Sequence, residues 1–390
     1  MTKILLTQIG ANGDCLLTTI IAGQLKEQDF KGCHLTWLVG DKYAQILINN
    51  PYIDEIITVP LSKHKNFAYA REHLDEQIEL LAQKGKIFDH IFKLDINSEN
   101  NPYVFGTIRS SYIRIYENKY KMKFTVPYNP VVCLTIKEEQ KIETFVKKHG
   151  LLDDGTYPIL FECSPQSGQS TMTLEKALVL SRKLCSFYPF IKVIITSKDK
   201  IESPEKNIID GSELSYRENA GLINYGKLLV GCSSGITWLN TSTLSREIPT
   251  VQTIVNDGTH CNGIISPSME LDYKQLGLST ASIIELTDAN DDYLFRCICN
   301  VIDLGIAKAK TLYHERTLEE INRCEDTLKK SKKIDVVKLL GILPFMTISE
   351  SLSGKTWKIA GIPLIKKKIK ANKIKWQFLN ITLLKIIRDA

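Results

Sequence analysis

The first part of the chain alternates between short apolar runs and amphipathic segments. Residues 4–9 form a continuous apolar-rich run, which predicts a buried strand. Residues 15–26 place Leu17, Ile21 and Leu25 on one face at helical spacing, which predicts an amphipathic helix. Further strands are predicted at residues 34–39, 55–59 and 90–94, and a further helix at residues 67–83. Strands that alternate with helices indicate a parallel sheet covered on both faces.

A second series of the same kind begins near residue 131. Thr135 with Glu138, and Ser215 with Glu218, form capping boxes that each predict the start of a helix, and Thr173 is a third predicted cap. Strands are predicted at residues 158–163, 191–196, 227–231, 250–255 and 282–285, and a helix near residues 237–244. The pattern therefore predicts an α/β protein of two doubly wound, Rossmann-like domains with a cleft between them.

The distribution of charged residues distinguishes a C-terminal tail from the rest of the chain. Residues 329–390 contain fifteen Lys or Arg and three Asp or Glu, a net charge of +12, whereas residues 1–328 carry −6. Basic tails usually bind phosphate groups of nucleic acid or of anionic lipid. We expect a first domain at residues 1–150, a second at 151–310, a helix or linker at 311–335 and the basic tail at 336–390.

The tail also repeats itself at an offset of nineteen residues. Residues 360–366 match residues 379–385, and Trp357 and Trp376 precede the two copies. Short apolar runs broken by Gly, Pro or Asn predict a small β element. Two interpretations stay open: the tail packs on the body as a lysine-rich appendage, or it docks on an anionic membrane surface with the tryptophans near the interface.

Composition narrows the class of protein. The 390 residues are 43% hydrophobic and 24% charged, as in an ordinary globular protein. No apolar run reaches the ~18–20 residues that cross a bilayer, and the N-terminus is too short for a signal peptide, so we expect a cytosolic protein, or one peripheral on the inner membrane. Ten cysteines without a CxxC spacing predict buried free thiols and no metal site, and no cofactor is expected.

The first turn that carries candidate chemistry is Gly10-Ala11-Asn12-Gly13-Asp14, between the first strand and the first helix. In an open α/β sheet this turn faces the binding crevice, and it lacks the GxGxxG dinucleotide pattern. Asp14 sits at a helix start, so it is either an N-cap or a carboxylate that accepts a proton from a hydroxyl group in the cleft.

Two turns of the second domain have the small polar residues that suit phosphate binding through backbone N–H groups. They are residues 164–170 and 232–235, each between a strand and a helix. We predict a donor site formed by Gly10, Asn12, Gly13, Ser164, Gln166, Ser167, Gln169, Ser170, Glu218, Ser233, Ser234 and Gly235. We predict an acceptor side that includes Asp95, Arg109 and His260. For Glu218 a capping role is the alternative, and for His260 a surface loop.

The succession of motifs resembles glycosyltransferase family 9, the bacterial ADP-heptose:lipopolysaccharide heptosyltransferases. The resemblance lies in residues 4–57, with Gly10-x-x-Gly13-Asp14, Leu38-Val39-Gly40 and Asn50-Pro51-Tyr52-Ile53-Asp54-Glu55-Ile56, and continues at residues 228–235. It implies a GT-B fold, an inverting mechanism, no essential metal ion and a catalytic base at Asp14. The tail repeats also resemble C-terminal repeats of bacterial surface-polysaccharide glycosyltransferases.

The sequence departs from the family pattern in the second domain. Ser233 and Ser234 stand where the family has Asp and Thr, the family's histidine falls near Trp238, and no lysine lies between residues 162 and 175. These departures leave the donor sugar open. The resulting hypothesis is an inverting, metal-independent transfer of a sugar from a nucleotide-diphosphate donor to a lipopolysaccharide, lipooligosaccharide or capsular glycan.

Other classes of function remain as alternatives. A sugar-nucleotide epimerase or hydrolase of the same fold would share the donor site. A nucleic-acid-binding protein would use the basic tail, but the tail has few aromatic residues and no known nucleic-acid-binding motif, so no nucleic acid is expected as a partner. A non-catalytic scaffold with a degenerate donor site is the third alternative.

Overall fold

The computed structural model describes residues 1–61, 70–71, 73–96, 108–163, 169–197, 199–201, 205–255 and 268–313, together with the backbone of five strands between residues 346 and 387. The chain divides into two compact units, Met1–Arg316 and Thr317–Ala390. Among the described residues, every helix is too short or too polar to span a lipid bilayer.

The first lobe of the larger unit is built on a parallel sheet of four strands. They are β1 (Lys3–Thr7), β2 (His34–Gly40), β3 (Glu55–Val59) and β4 (His90–Lys93). Their spatial order is β3-β2-β1-β4. The strands β2 and β3 lie on one side of β1 and β4 lies on the other, so the switch point of the sheet is between β1 and β4. The four strands predicted from apolar runs are confirmed within two residues at each end.

Helices cover this sheet. They are α1 (Asn12–Gln24), α2 (Leu74–Gln83) and α3 (Arg109–Tyr120). α1 begins three residues before the predicted start and is buried along most of its length, because the second lobe lies beside it. The predicted helix at residues 67–83 is described from Leu74 onward. The apolar pattern did not predict α3, whose buried face mixes Arg109, Ser110 and Ser111 with aromatic residues.

The second lobe has a parallel sheet of six strands. They are β5 (Tyr157–Glu162), β6 (Ile191–Thr196), β7 (Ile208–Asp210), β8 (Leu228–Gly231), β9 (Thr250–Ile254) and β10 (Ile283–Thr287). The order β10-β9-β8-β5-β6-β7 is that of a complete doubly wound nucleotide-binding sheet, with its switch point between β5 and β8. β7 was not predicted, because three residues are too few for a periodic pattern.

Helices alternate with the strands in this part of the chain. They are α4 (Ile136–Lys148), α5 (Leu174–Phe187), α6 (Tyr216–Leu222), α7 (Gly235–Leu239), α8 (Met269–Gln275), α9 (Asp291–Leu304) and α10 (Ile306–Lys310). The predicted caps Thr135, Thr173 and Ser215 each accept a backbone hydrogen bond from the first turn of their helix. The three capping predictions are therefore confirmed.

Two buried arginines join elements that are distant in sequence. Arg217 of α6 donates hydrogen bonds to the carbonyls of Gln45 and Ile48 and pairs with Glu138 of α4. Arg109 of α3 pairs with Asp272 of α8, and its side chain is 1% exposed. A buried charge is tolerated only when it is paired and hydrogen-bonded, so these contacts fix the first lobe against the second.

The smaller unit contains an antiparallel meander of five strands. They are β11 (Met346–Ser351), β12 (Gly354–Ile359), β13 (Ile362–Lys370), β14 (Lys373–Phe378) and β15 (Ile381–Ile387). Trp357 pairs with Ile365, and Trp376 pairs with Leu384, so the sequence repeat of nineteen residues recurs in the strand register. The register shifts immediately after both tryptophans. The predicted β element is confirmed at the level of the backbone.

Candidate active site between the two lobes

The turn after β1 approaches its neighbours closely. A Cβ atom on Gly10 would lie 2.3 Å from the ring of Tyr43, so this position requires glycine. The Gly10 carbonyl accepts hydrogen bonds from the Gln8 side chain and from Arg71, both at 3.0 Å. The turn is therefore fixed before any ligand binds.

Asp14 lies in the first turn of α1 and is partly exposed. One carboxylate oxygen, Oδ2, accepts the Ala11 N–H at 2.9 Å, and the other, Oδ1, accepts the hydroxyl of Tyr112. The N-cap interpretation of Asp14 is wrong: Ala11 is the N-cap, and Asp14 lies three residues further on and accepts the Ala11 N–H. Its other oxygen is held by a neutral donor, which is compatible with the interpretation of Asp14 as a carboxylate in the cleft.

Tyr112 is fully buried on α3 and was not predicted as a site residue. Burial raises the pKa of its hydroxyl well above the usual value, and the negative charge of Asp14 raises it further. The hydroxyl therefore stays protonated and donates to Asp14 across the whole working pH range. No local signal in the sequence points to it, because its contact with Asp14 spans 98 residues of chain.

Asp95 follows β4 at the switch point of the first sheet and is 2% exposed. It accepts the Thr7 hydroxyl at 2.9 Å and the Ile9 N–H at 2.7 Å, and Arg71 lies 3.8 Å away. Burial raises the pKa of Asp95, although Arg71 favours the ionised form. The prediction that Asp95 lines the acceptor side does not fit this position: Asp95 holds the end of β1 from within the protein.

The second lobe meets this turn at Gly235. A Cβ atom on Gly13 would lie 3.7 Å from the Cα atom of Gly235, so the two glycines face each other across the lobes. Tyr216 of α6 donates its hydroxyl to the Gly235 carbonyl at 2.9 Å. Burial raises the pKa of Tyr216, and the charges of Glu162 and Asp14 add to the effect, which places Tyr216 near both carboxylates.

Glu162, the last residue of β5, organises the facing turn. Its buried carboxylate accepts the N–H groups of Cys232 and Ile236, each at 3.0 Å. It also accepts the hydroxyl groups of Ser234 and Thr237. Glu162 was not predicted as a site residue, although a lone carboxylate that ends an otherwise apolar buried strand is a signal that could have indicated it.

The contacts of Glu162 change the interpretation of the turn at residues 232–235. The Glu162 carboxylate already accepts hydrogen bonds from the start of α7 and from the Ser234 hydroxyl. This turn therefore has fewer hydrogen-bond donors for a phosphate than its composition suggested. Ser233 is buried, with a positive φ of 55° that is uncommon outside glycine. The donor-binding roles of Ser233, Ser234 and Gly235 stay predictions, and a direct phosphate contact is disfavoured at Ser234.

The other predicted phosphate turn is only partly described. Ser164, Gln166 and Ser167 lie outside the described residues, as does His260. The Gln169 carbonyl accepts the Val255 N–H at 2.9 Å, and the Ser170 hydroxyl accepts the Met172 N–H at 3.3 Å. The first of these contacts joins the loop after β5 to the residue that follows β9.

Two further predicted site residues have structural partners. Glu218 closes its capping box by accepting the Ser215 N–H at 2.6 Å, and it pairs with Lys141 at 2.8 Å. The capping interpretation therefore accounts for Glu218. Arg109 is buried in its ion pair with Asp272 and is not on an exposed acceptor surface.

Asn12 remains a candidate for ligand contact. It is partly exposed in the first turn of α1, and its Oδ1 atom is buried with no hydrogen-bond donor among the described residues. Within the same described ranges, no cluster of His, Cys, Asp or Glu could hold a metal ion. The eight described cysteines are free thiols, and Cys261 and Cys324 lie outside those ranges.

Comparison with solved structures identifies the fold. No family model matches the sequence, and no curated protein matches it. The glycosyl transferase family 9 structure from Veillonella parvula is similar with a TM-score of 0.53 at 16% identity, over 85% of this chain and 98% of that one. The chain has the fold of a family 9 glycosyltransferase. The GT-B-like arrangement of two Rossmann-like lobes is thereby confirmed.

Other solved structures are similar to a lesser degree. ADP-heptose lps heptosyltransferase II of E. coli gives a TM-score of 0.47 at 11% identity, over 84% of this chain and 100% of that one. The UDP-GlcNAc 2-epimerase of Neisseria meningitidis, bound to UDP-GlcNAc, gives 0.46 at 10% identity, over 84% of this chain and 100% of that one. A shared fold does not fix a function, so the site residues must decide it.

Proposed function

We propose that this family 9 fold is an inverting glycosyltransferase that moves a sugar from a nucleotide-diphosphate donor to a glycan or glycolipid acceptor. The observation that carries the proposal is the position of Asp14. It is a partly exposed carboxylate beside the contact between Gly13 and Gly235, held by one backbone and one side-chain donor. A single positioned base is what an inverting displacement requires.

The proposed reaction is one displacement. The acceptor oxygen attacks C1 of the donor sugar while Asp14 takes the proton of that hydroxyl group. The bond between C1 and the diphosphate oxygen breaks, and the nucleoside diphosphate leaves with the electron pair. The first lobe, residues 1–150, would bind the acceptor, and the second lobe, residues 151–310, would bind the donor.

The leaving diphosphate gains negative charge, which fixed hydrogen-bond donors must stabilise. In this proposal the loop at residues 164–170 supplies them without a metal ion, because Glu162 already occupies the neighbouring turn. One such donor typically contributes about 2.7–4 kcal/mol to the transition state. Asn12 on the opposite side of the cleft is a further candidate for the donor sugar.

The acceptor completes the proposal. In this proposal the acceptor is a lipopolysaccharide, lipooligosaccharide or capsular glycan, and the enzyme works in the cytoplasm, peripheral to the inner membrane. Residues 329–390 carry the net charge of +12 that such a location favours.

The substitution Asp14→Asn tests the base. The amide oxygen can still accept the Ala11 N–H, and its NH₂ group can donate to the Tyr112 oxygen, so the fold should persist. We expect turnover to fall by roughly 10²–10⁴-fold. The measurement is release of nucleoside diphosphate from a panel of nucleotide sugars with lipooligosaccharide acceptor, together with thermal shift by ADP and UDP.

The matched control is Glu76→Gln, which removes one exposed carboxylate from α2 of the same lobe. It should leave turnover unchanged. Unchanged turnover in a folded Asp14→Asn protein would refute the assignment of the base. Release of free sugar without any acceptor would instead favour the hydrolase alternative.

A further inference from the structure

The strand register of the smaller unit separates its residues onto two faces of one sheet. Successive residues of a strand alternate between faces, and directly paired residues share a face. The pairing from β11 to β15, outside the positions at which the register shifts, therefore assigns each residue to one of the two faces.

One face is lysine-rich and polar. In β13, β14 and β15 it contains Lys366, Lys368, Lys370, Lys373, Lys375, Gln377, Lys385 and Ile387. In β11 and β12 it contains Ser349, Ser351, Gly354 and Thr356. We call this set the lysine face. It has no acidic and no aromatic residue.

The opposite face is mostly apolar. It contains Ile348, Trp357, Ile365, Ile369, Ile374, Trp376, Phe378, Leu384 and Ile386, with Glu350, Lys355 and Lys367 as its charged positions. We call this set the apolar face. Both tryptophans of the repeat therefore lie on the face opposite the six lysines, whereas the membrane interpretation of the sequence placed tryptophan and lysine at one interface.

The lysine face places like charges in direct register. Lys368 pairs with Lys375, Lys375 pairs with Lys385, and Lys370 pairs with Lys373. Like charges directly opposite each other across two strands destabilise a sheet. A sheet that repeats this arrangement across three strands is stabilised when an anionic partner lies against it.

We propose that the lysine face binds the surface of an anionic membrane. Neighbouring strands lie about 4.8 Å apart, so lysines on three adjacent strands form a two-dimensional array that matches a plane of lipid phosphates. Single-stranded nucleic acid is usually bound by aromatic stacking, and this face has no aromatic residue. An antiparallel sheet commonly packs its apolar face and leaves the polar face to its surroundings, which fits this division.

This inference deepens the proposed function, because it assigns membrane contact to one face of the smaller unit, but it does not depend on sugar transfer. The test uses the full-length chain with vesicles of phosphatidylcholine alone and of phosphatidylcholine with phosphatidylglycerol. We expect flotation with the anionic vesicles only, and a loss of binding as salt is raised.

Two charge-matched double variants decide which face is used. Lys368→Gln with Lys375→Gln removes a directly paired couple from the lysine face, and Lys355→Gln with Lys367→Gln removes a directly paired couple from the apolar face. At about 1 kcal/mol for each lysine near an anionic surface, the first pair should weaken vesicle binding about thirtyfold. The second pair should change it by less than about threefold.

Both variants relieve a like-charge pair, so neither should unfold the sheet, and circular dichroism of the two proteins checks this. Equal losses in the two variants would show a general effect of net charge and overturn the proposal. Equal binding to neutral vesicles, or tighter binding of single-stranded RNA than of anionic vesicles, would also overturn it. Asp14→Asn should bind vesicles as the unsubstituted chain does, so failure of the sugar-transfer proposal is seen separately.

Discussion

Asp14 shows how one side chain can be structural and chemical at once. Its Oδ2 atom accepts the Ala11 N–H at the start of α1, while Oδ1 accepts the Tyr112 hydroxyl. The backbone bond fixes one oxygen of the carboxylate, and the tyrosine hydroxyl holds the other. Tyr112 is therefore a positioning residue of the proposed site.

The substitution Tyr112→Phe tests this role. The Asp14 carboxylate would keep its backbone hydrogen bond but lose one of the kind that contributes about 1.5–3 kcal/mol, so it would no longer be held in one orientation. We expect kcat to fall about tenfold, with the donor KM and the thermal stability little changed. The measurement is kcat and KM with a nucleotide-sugar donor, together with thermal unfolding.

Tyr116→Phe is the matched control, because Tyr116 lies one turn further along α3 and its hydroxyl donates to Asp29 instead. It should leave kcat unchanged. If the two phenylalanine variants lower kcat equally, Tyr112 has only a packing role.

The sequence predicted the carboxylate in the turn after β1 but not the residues that form hydrogen bonds with that turn. Asp14 was predicted from a local motif, whereas Tyr112 and Arg71 reach the turn from 98 and 61 residues away. Asp95 was predicted because it follows a strand and Arg109 because it is basic, and the fold buries both. A single sequence carries the periodicity of its elements but not the partners of buried polar groups.

At the scale of elements, Glu162 ties the end of β5 to the start of α7. The two backbone N–H groups it accepts reach different oxygens, Cys232 at Oε2 and Ile236 at Oε1. The carboxylate therefore sets the geometry of the turn between β8 and α7 at the switch point of the second sheet.

The substitution Glu162→Gln should break this arrangement. An amide has one acceptor oxygen, so one of the two backbone N–H groups would face an NH₂ group. We expect the free energy of unfolding in urea to fall by about 1–3 kcal/mol, and the thermal shift by ADP or UDP to decrease.

Glu175→Gln supplies the comparison, since Glu175 is exposed in the first turn of α5. Its substitution should change stability by less than about 0.5 kcal/mol. Equal stability and equal nucleotide binding in the two glutamine variants would show that Glu162 does not organise the donor side.

Elements with a strong periodic or capping signal were predicted almost to the residue. β3 was predicted with its observed bounds, Glu55–Val59, and α4 begins at its predicted capping box. α8 and α9 were missed although both are clear helices in the structure. Their caps, Ser268 and Asn290, each accept a backbone N–H, but neither is followed by the acidic residue of a capping box.

At the scale of the whole molecule, the pairing of Arg217 with Glu138 couples contact between the lobes to pH. The hydrogen bonds from Arg217 lower the pKa of Glu138 from its usual value to about 2. A carboxyl group with a lowered pKa stabilises the fold above its unfolded-state pKa, and this stability is lost as the pH falls through the folded-state value. The window here extends from about pH 4.5 down to about pH 2.

The substitution Glu138→Gln should therefore lower the unfolding free energy at neutral pH by about 1.5–3 kcal/mol, the usual range for hydrogen bonds to a charged group, and flatten the acid limb of the stability curve. Urea unfolding at several pH values measures both effects. Glu139→Gln changes the exposed neighbour and should leave the curve unaltered. A Glu138→Gln protein that keeps its full acid sensitivity would contradict the coupling.

The smaller unit contains two equivalent hairpins, β12–β13 and β14–β15, whose strands pair in the same register. β12 and β14 occupy equivalent positions nineteen residues apart, and so do the residues that pair with their tryptophans. Losing residues 358–376 would join Trp357 to Gln377 and leave one hairpin with unchanged pairing. Duplication or loss of one copy would lengthen or shorten the sheet by two strands at a time, and each step would change the area of the lysine face while the larger unit stays as it is.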